Sequence, residues 1–307
     1  MHPALSIVAF TTASGLGYGL AAVLGLGLLD PGSVATAAGH LLALILIVGG
    51  LSSSTLHLAN PQRAWRAFSQ WRTSWLSREG VLALASLVPI AVSAVAALWA
   101  GRHIPLLGLA ATALALATVY STAMIYASLK SVDAWHTWLT PACYLLFSAA
   151  GGFSLASLFS AAGGAGSSVV PALAVFFLAA AWSAKLAWRH RMNTSRPRST
   201  PETATGLGFI GKVRLFERPH VNDNYLTREM GFAVARKHAA KLVRMSLLIG
   251  GIAPMLVFLM LAATGGAGPV AAGAALIAVL SHAAGMLIER WLFFAEARHA
   301  VMNYYSG

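Results

Sequence analysis

Long apolar stretches, separated by shorter polar segments, dominate the chain. A helix needs about 20 apolar residues to cross the hydrocarbon of a bilayer. Eight stretches of that kind occur, at about 4–29, 34–58, 80–100, 104–128, 138–160, 169–188, 245–264 and 270–294. The pattern therefore predicts an all-α integral membrane protein, in which residues 1–307 form one domain built as a bundle of eight transmembrane helices.

One polar segment, residues 189–244, is much longer than the others and is expected to be a basic cytoplasmic loop. By composition it begins disordered, from Arg189 to Arg198. From Leu226 to Met245 it is expected to form a basic amphipathic helix that runs into the seventh span, with Thr227 as a candidate N-cap. Its less polar stripe comprises Met230, Val234, His238, Leu242 and Met245. Such a helix lies on anionic lipid or docks a partner protein, and both alternatives stay open.

The composition narrows the class of protein. Hydrophobic residues make up 58% of the chain, charged residues 10%, and the formal net charge is +12. A nucleic-acid-binding protein would need a soluble basic surface, for which the apolar stretches leave no room. The single cysteine, Cys143, excludes an internal disulfide and is too few to ligate an iron–sulfur cluster.

The basic residues are distributed unevenly between the two sides of the predicted bundle. Of the 21 Lys and Arg residues, 20 fall in the second, fourth and sixth loops, the ends of the adjoining spans and the C-terminal part. Only Arg102 falls on the opposite side. Because cytoplasmic loops of membrane proteins are enriched in Lys and Arg, we predict that both termini are cytoplasmic and that the protein resides in a bacterial inner membrane.

Ionisable residues within membrane spans are costly, so each one is a functional candidate. They are His40, His57, Lys185, His282, Glu289 and Arg290. His57 is placed at the inner end of the second span, on the same helix face as Gly49 and Ser53. Two small residues beside an imidazole leave room for a flat ligand, and an imidazole exchanges protons near neutral pH. This combination suits a quinone.

The segment after His57 places four arginines among three tryptophans and a phenylalanine. Arginine and tryptophan N–H groups are donors for the second oxygen of a quinone. The candidate quinone-binding residues are therefore Ser53, His57, Arg63, Trp65, Arg66, Trp75, Arg78 and Glu79, with His57 as the group that exchanges the proton. The alternative is an aromatic belt with arginines at the membrane interface and no ligand.

His282 and Glu289 share one face of the last span. They, with Arg290, suggest a proton path between the quinone site and one aqueous side, or structural hydrogen bonds to neighbouring helices. Because adjacent helical residues do not face each other, we expect Glu289 and Arg290 to pair elsewhere, Glu289 with an arginine of the second loop. Lys185 is expected to extend towards the interface from the end of its helix. No metal site is predicted.

Two runs resemble the signature of the dimethyl sulfoxide reductase membrane-anchor family. Residues 54–65 are similar to its His-Leu-Gly-x-Pro-x-Arg-Ala element, with Ala59 replacing the usual glycine, and residues 74–79 to its Ser-x-Leu-Ser-x-Glu element. Residues 287–294 resemble its final element. The resemblance implies a haem-free quinone-binding anchor that holds a four-cluster iron–sulfur subunit and a molybdopterin catalytic subunit. It also implies a role in quinol binding for His57.

Within that family, two features resemble the anchors of cytoplasmic sulfite dehydrogenase complexes. These are the predicted cytoplasmic position of the His57 loop and the long basic loop around Pro219. That resemblance implies that the partner subunits dock on the cytoplasmic face and pass electrons from sulfite to the quinone pool. The alternative is the anchor of a dimethyl sulfoxide reductase-type terminal reductase, which would oxidise quinol.

Two other classes of membrane protein stay as alternatives. A haem b subunit needs two histidines at one depth on facing helices. His57 and His40 are about 25 Å apart along the helix axis, which leaves His57 with His136 as the pair at one level. A small-solute transporter would place polar residues at the bilayer midplane, whereas here most of them cluster at one membrane face.

Overall fold

The computed structural model describes residues 4–55, 60–195, 197, 199–214, 216–217 and 234–304. These residues form ten α-helices and no strand. The helices are α1 (Leu5–Gly25), α2 (Val34–Thr55), α3 (Trp75–Ala100), α4 (Pro105–Ala127), α5 (Leu139–Ala162), α6 (Val169–Thr194), α7 (Pro201–Thr205), α8 (Val234–Leu247), α9 (Ala253–Thr264) and α10 (Pro269–Ala295). Short 3₁₀ helices occupy Pro61–Phe68 and Ala300–Tyr304, and a π-helical segment, Leu248–Ile252, joins α8 to α9.

Eight of the described helices are long and apolar enough to cross a membrane, when α8, the π-helical segment and α9 are taken as one span over His238–Thr264. This confirms the predicted all-α class and the number of spans. The third span starts at Trp75, earlier than predicted, because the Ser74 hydroxyl accepts a hydrogen bond from the Ser77 amide at 3.4 Å and caps the helix. The hydrophobic pattern alone predicts a start at residue 80, because Arg78 and Glu79 are charged.

The predicted disorder from Arg189 is wrong for residues 189–194, which form the last turns of α6. Arg189 forms a salt bridge with Glu296, and Arg191 donates to the carbonyl oxygen of Asp133 at 3.3 Å. Basic residues also interact favourably with the carbonyl groups at the C-terminal end of a helix. The composition of residues 189–194 predicts a solvated, disordered segment, but tertiary contacts extend α6 through these residues.

The predicted amphipathic helix is described only from Val234 onwards, so Thr227 and Met230 lie outside the described residues. As expected, the described helix runs directly into the seventh span. His238 and Met245 of the predicted stripe are exposed, whereas Ala239 and Ser246 are buried. The packed face of α8 is therefore made of small residues rather than the predicted stripe, which lets α8 approach α10 closely.

Helices α1 and α5 form the centre of the bundle. They are the two most buried spans, and α1 packs against α2, α4, α5 and α10. Their close approach depends on small residues. A Cβ added to Gly19 would overlap the carbonyl group of Ser148, and one added to Gly152 would overlap Gly19. Glycine at this crossing lets two helix backbones touch, which is how helices associate in lipid.

The connections between helices lie at two ends of the bundle, and hydrogen bonds join neighbouring connections at each end. At one end, the Ala300 amide donates to the Ser131 carbonyl at 2.8 Å, and Asn303 donates to the Ser199 carbonyl at 2.9 Å. At the other end, His103 bonds to the Gly25 carbonyl at 3.0 Å. The first end, called here the basic end, carries the basic loops, and its cytoplasmic orientation stays a prediction.

Candidate functional site

A cavity of about 780 Å³ opens at the basic end, between α1, α2, the Pro61–Phe68 helix, α3 and α4. Polar side chains line one part of it: Ser52, Ser54, Thr55, Asn60, Arg63, Glu79 and Tyr126. Apolar side chains line the rest, among them Phe10, Leu51, Phe68, Leu76, Ala83 and Leu84. The cavity is therefore amphipathic, with polar groups on a few residues and apolar walls around them.

The Pro61–Phe68 helix forms one wall of this cavity. Proline at its first position supplies a fixed φ, and the Arg63 amide donates to the Asn60 carbonyl at 3.0 Å. Arg63 and Phe68 line the cavity. Phe68 also packs against α3, where a Cβ at Gly80 would lie 2.9 Å from the phenylalanine ring. A glycine at this point lets the short helix lie directly on α3.

Glu79 also lines the cavity, from the second turn of α3, and only 6% of it is exposed. Its Oε1 accepts a hydrogen bond from the Thr122 hydroxyl of α4 at 2.5 Å. Buried carboxyl groups need such partners. The bond fixes the Glu79 carboxyl group at the cavity wall.

Tyr126 is a cavity residue that the sequence reasoning missed. Its ring lies in an aromatic cluster, with centroids 5.3 Å from Trp135, 6.0 Å from Tyr144 and 5.6 Å from Phe293. These contacts hold the ring in one orientation. An apolar span with a tyrosine near its end carries no motif, so the only signal in the sequence was a polar aromatic residue within a predicted helix.

The structure brings Arg63 and Glu79 to the cavity but not all of the other predicted residues. The Ser53 hydroxyl donates to the Ser6 carbonyl of α1 at 2.9 Å, and Ser53 is absent from the cavity lining. Gly49 is exposed, and a Cβ added to it would meet no atom of another part of the described structure within 4 Å. The neighbours Ser52, Ser54 and Thr55 face the cavity instead, so the face shared by Gly49 and Ser53 does not create the space. His57 lies outside the described residues.

The other aromatic and basic candidates of the segment after His57 also lie away from the cavity. Trp65 is 65% exposed, and the Arg66 guanidinium lies 5.6 Å from its ring centroid. Trp75 packs edge-on against Tyr120 at 5.9 Å. Arg78 donates through Nε to the Trp71 carbonyl at 3.0 Å. None of these four candidate side chains lines the cavity, and Arg78 instead holds the segment to α3.

A second polar cluster lies between α6 and α10 and corrects three predictions. Lys185 Nζ lies 2.6 Å from Glu289 Oε1, and Arg290 Nε lies 2.5 Å from Glu289 Oε2. All three residues are buried. Glu289 therefore pairs with its own neighbour and with Lys185, not with an arginine of the second loop. Lys185 does not extend to the interface, because its ammonium group reaches the buried carboxylate of Glu289 on α10.

His282 is buried and bonds through Nδ1 to the Gly250 carbonyl at 2.7 Å. The neighbouring Ser281 hydroxyl donates to the Ile249 carbonyl at 2.5 Å. Both carbonyls belong to the π-helical segment, where the wider turn leaves carbonyls available to other partners. Among the described residues no hydrogen bond connects His282 to Glu289. His282 therefore has the hydrogen bond to a neighbouring helix that the structural alternative expects, and the proton path stays a prediction.

His136, the candidate haem partner of His57, bonds through Nδ1 to the Ala127 carbonyl at 2.6 Å. This bond joins the loop after α4 back to the end of that helix. The Cys143 thiol is free and buried in α5.

The described residues thus form an apolar bundle of eight membrane-crossing helices with an amphipathic cavity at its basic end. The sequence model of the family described as DMSO reductase anchor subunit (DmsC) matches residues 1–295. The chain is also 33% identical, over 332 aligned positions, to a sulfite dehydrogenase subunit of Allochromatium vinosum. That alignment covers 100% of this chain and 99% of the relative.

The chain therefore belongs to the DMSO reductase anchor subunit family. It is a membrane-anchor subunit of an oxidoreductase complex, and the family partners with catalytic and iron–sulfur subunits. The family resemblance expected from residues 54–65, 74–79 and 287–294 is thereby confirmed.

Proposed function

We propose that this chain is the quinone-reactive anchor of a three-subunit molybdopterin oxidoreductase, and that the cavity at the basic end is its quinone site. The observation that carries the proposal is that Arg63 and Glu79 both line one amphipathic cavity of about 780 Å³. Binding pockets for small organic ligands have about this volume, mostly apolar walls and a few placed polar groups.

The residues on the walls suit the chemistry of a quinone. Reduction of a quinone adds two electrons and two protons, and its two oxygens receive the protons. The Arg63 guanidinium is a donor for one oxygen, and the Glu79 carboxyl, held by Thr122, exchanges a proton with the other. The apolar walls hold the ring and its isoprenoid tail. His57, which directly precedes this part of the cavity wall in the chain, is proposed as a second proton-exchanging group.

We also propose sulfite as the electron source. The support is the name of the relative, a sulfite dehydrogenase subunit, together with the basic end that is predicted to be cytoplasmic. A four-cluster iron–sulfur subunit and a molybdopterin catalytic subunit would dock at that end. The overall reaction, in which sulfite, water and quinone give sulfate and quinol, balances in atoms and electrons.

The family description favours a second candidate, in which quinol is oxidised and dimethyl sulfoxide is reduced. The same cavity would serve this reverse direction. The purified complex separates the two candidates, because only one of them gives sulfite-dependent quinone reduction. If the complex reduces dimethyl sulfoxide with quinol and does not oxidise sulfite, dimethyl sulfoxide replaces sulfite as the proposed substrate. The proposed quinone site is unchanged by that result.

The quinone site is tested by Arg63→Ala in the purified complex. A hydrogen bond to a charged group contributes about 1.5–3 kcal/mol, so the KM for a soluble quinone analogue should rise about 10- to 100-fold. Substrate oxidation with an artificial dye, which bypasses the anchor, should be unchanged.

The matched control is Arg214→Ala, which removes an exposed arginine that does not line the cavity. Its KM for the quinone analogue should equal that of the unmodified complex. If Arg63→Ala also leaves this KM unchanged in an assembled complex, the cavity is not the quinone site.

A further inference from the structure

The segment that forms the cavity wall has an outer surface with a separate character. This surface, called here the Trp–Arg surface, consists of Trp65, Arg66, Trp71 and Arg72. The two tryptophans are 65% and 53% exposed, and each arginine lies over its neighbouring ring, at 5.6 Å and 5.8 Å from the centroid. No acidic residue occurs between residues 60 and 74. In the described part of the chain neither arginine forms a salt bridge, so both positive charges face outwards without a carboxylate.

Contacts with α3 fix the depth of this surface. The Ser77 hydroxyl donates to the Ala67 carbonyl, and Arg78 donates to the carbonyls of Trp71 and Arg72 at 3.0 Å and 2.7 Å. These bonds hold the segment against the first turn of a helix long enough to cross a membrane. The ends of such helices lie at the level of the lipid headgroups, so the Trp–Arg surface lies there as well.

Directly below this level, α3 presents an apolar face to its surroundings. Val81, Val88 and Val92 are 37%, 65% and 46% exposed, and their spacing of seven and four residues places them on one side of the helix. A charged surface above an exposed apolar face matches one molecule that has a charged head and apolar chains. A soluble protein partner would match the charged part but would leave the apolar face of α3 to lipid.

We propose that the Trp–Arg surface binds the headgroup of an anionic phospholipid, with the acyl chains of that lipid along Val81, Val88 and Val92. Guanidinium groups pair with phosphate through two parallel hydrogen bonds, and tryptophan rings favour the interfacial region. The lipid site stands independently of the proposed function. Its link to the quinone site rests on that function, because the opposite side of the same segment carries Arg63 and lines the cavity.

The test uses the intact complex in lipid nanodiscs of phosphatidylcholine with a minor fraction of phosphatidylglycerol. Native mass spectrometry measures how much phosphatidylglycerol stays bound. One basic residue near an anionic membrane surface contributes about a fivefold factor, so the double substitution Arg66→Gln with Arg72→Gln should weaken retention of phosphatidylglycerol about 30-fold. Arg66→Lys with Arg72→Lys keeps the charge and should restore most of the retention.

The matched control is Lys212→Gln with Arg214→Gln, which removes the same charge from exposed positions elsewhere and should leave retention unchanged. Equal retention in the Arg66 and Arg72 variant would overturn the proposal. So would loss of the iron–sulfur subunit with lipid retention intact, which would identify the surface as a protein-docking site. Arg63→Ala separates the two proposals, since it should alter the KM for quinone and leave lipid retention unchanged.

Discussion

Basic side chains occur in two contrasting settings in this protein. Arg66 and Arg72 of the Trp–Arg surface are exposed and stacked on tryptophan rings, and neither forms a salt bridge within the described residues. Lys185 and Arg290 are buried between α6 and α10, and both contact Glu289. The difference shows that depth decides how a cation is stabilised: the exposed residues need only water or headgroups, whereas the buried ones need a carboxylate.

The buried cluster contains two cations and one carboxylate, so its charge is not fully balanced. Aromatic rings stabilise part of the positive charge that Glu289 does not balance. The Lys185 ammonium lies 3.8 Å from the Trp188 ring centroid, and the Arg290 guanidinium 4.3 Å from that of Tyr144. A ring face attracts a cation most strongly where water is excluded. The rings and Glu289 together therefore hold two charges at a depth where an isolated one is costly.

The largest effect is expected from Glu289→Gln, which leaves both buried cations without their carboxylate. Breaking a buried ion pair by removing one partner costs about 3–5 kcal/mol. We expect a large loss of thermal stability of the purified complex in detergent, measured by the temperature at which it aggregates.

The double variant Glu289→Gln with Lys185→Met serves as the control, because it removes one cation together with the carboxylate. It should recover a substantial part of the lost stability. Equal stability of Glu289→Gln and the unmodified complex would show that Glu289 does not stabilise the cluster.

An intermediate effect is expected from Arg78→Ala. Arg78 is half-buried and donates to two backbone carbonyls of the segment after the Pro61–Phe68 helix. Because these are charge-assisted bonds in a partly solvated position, we expect a loss of about 1–2 kcal/mol. Limited proteolysis of the segment that contains Trp71 and Arg72 should become faster. Cleavage of the exposed Lys212 region serves as the internal reference and should keep its rate. Unaltered cleavage of the segment would mean that other contacts hold it.

The smallest effect on stability is expected from Arg66→Ala. The side chain is exposed and contacts one ring, and such surface substitutions change the free energy of unfolding by about 0.5 kcal/mol or less. The aggregation temperature in detergent should match that of the unmodified complex within error. A loss as large as that of Glu289→Gln would remove the contrast between the two settings.

The sequence predicted the spans well, because eight long apolar stretches leave few other folds. It placed their ends less well. α3 begins at Trp75 because a serine caps it, and α6 continues to Thr194 because Arg189 finds Glu296. Both corrections depend on local capping or on tertiary partners. The hydrophobic pattern contains neither kind of information.

The candidate site was predictable in part. Arg63 and Glu79 belong to recognisable motifs, and both line the cavity. Ser53 was chosen by helical spacing from His57, but its hydroxyl bonds to α1. Helical spacing shows which residues share a face, but it does not show which neighbouring helix covers that face. Tyr126 was missed for the same reason, since its place in the cavity depends on how α4 packs against α1 and α3.

The central position of α1 has a consequence for how the protein is made. Of the stretch of α1 best suited to span a membrane, 72% is buried, the highest share among the described spans. α2 and α4 pack against it and are made soon afterwards, but α5 and α10, which also pack against it, come much later in the chain. Because chains are synthesised from the N-terminal side, α1 enters the bilayer long before the part of its surface that packs against α5 and α10 is covered. Gly19 has no helix against it until Gly152 of α5 has been made, so lipid or the insertion machinery covers this point of α1 until then.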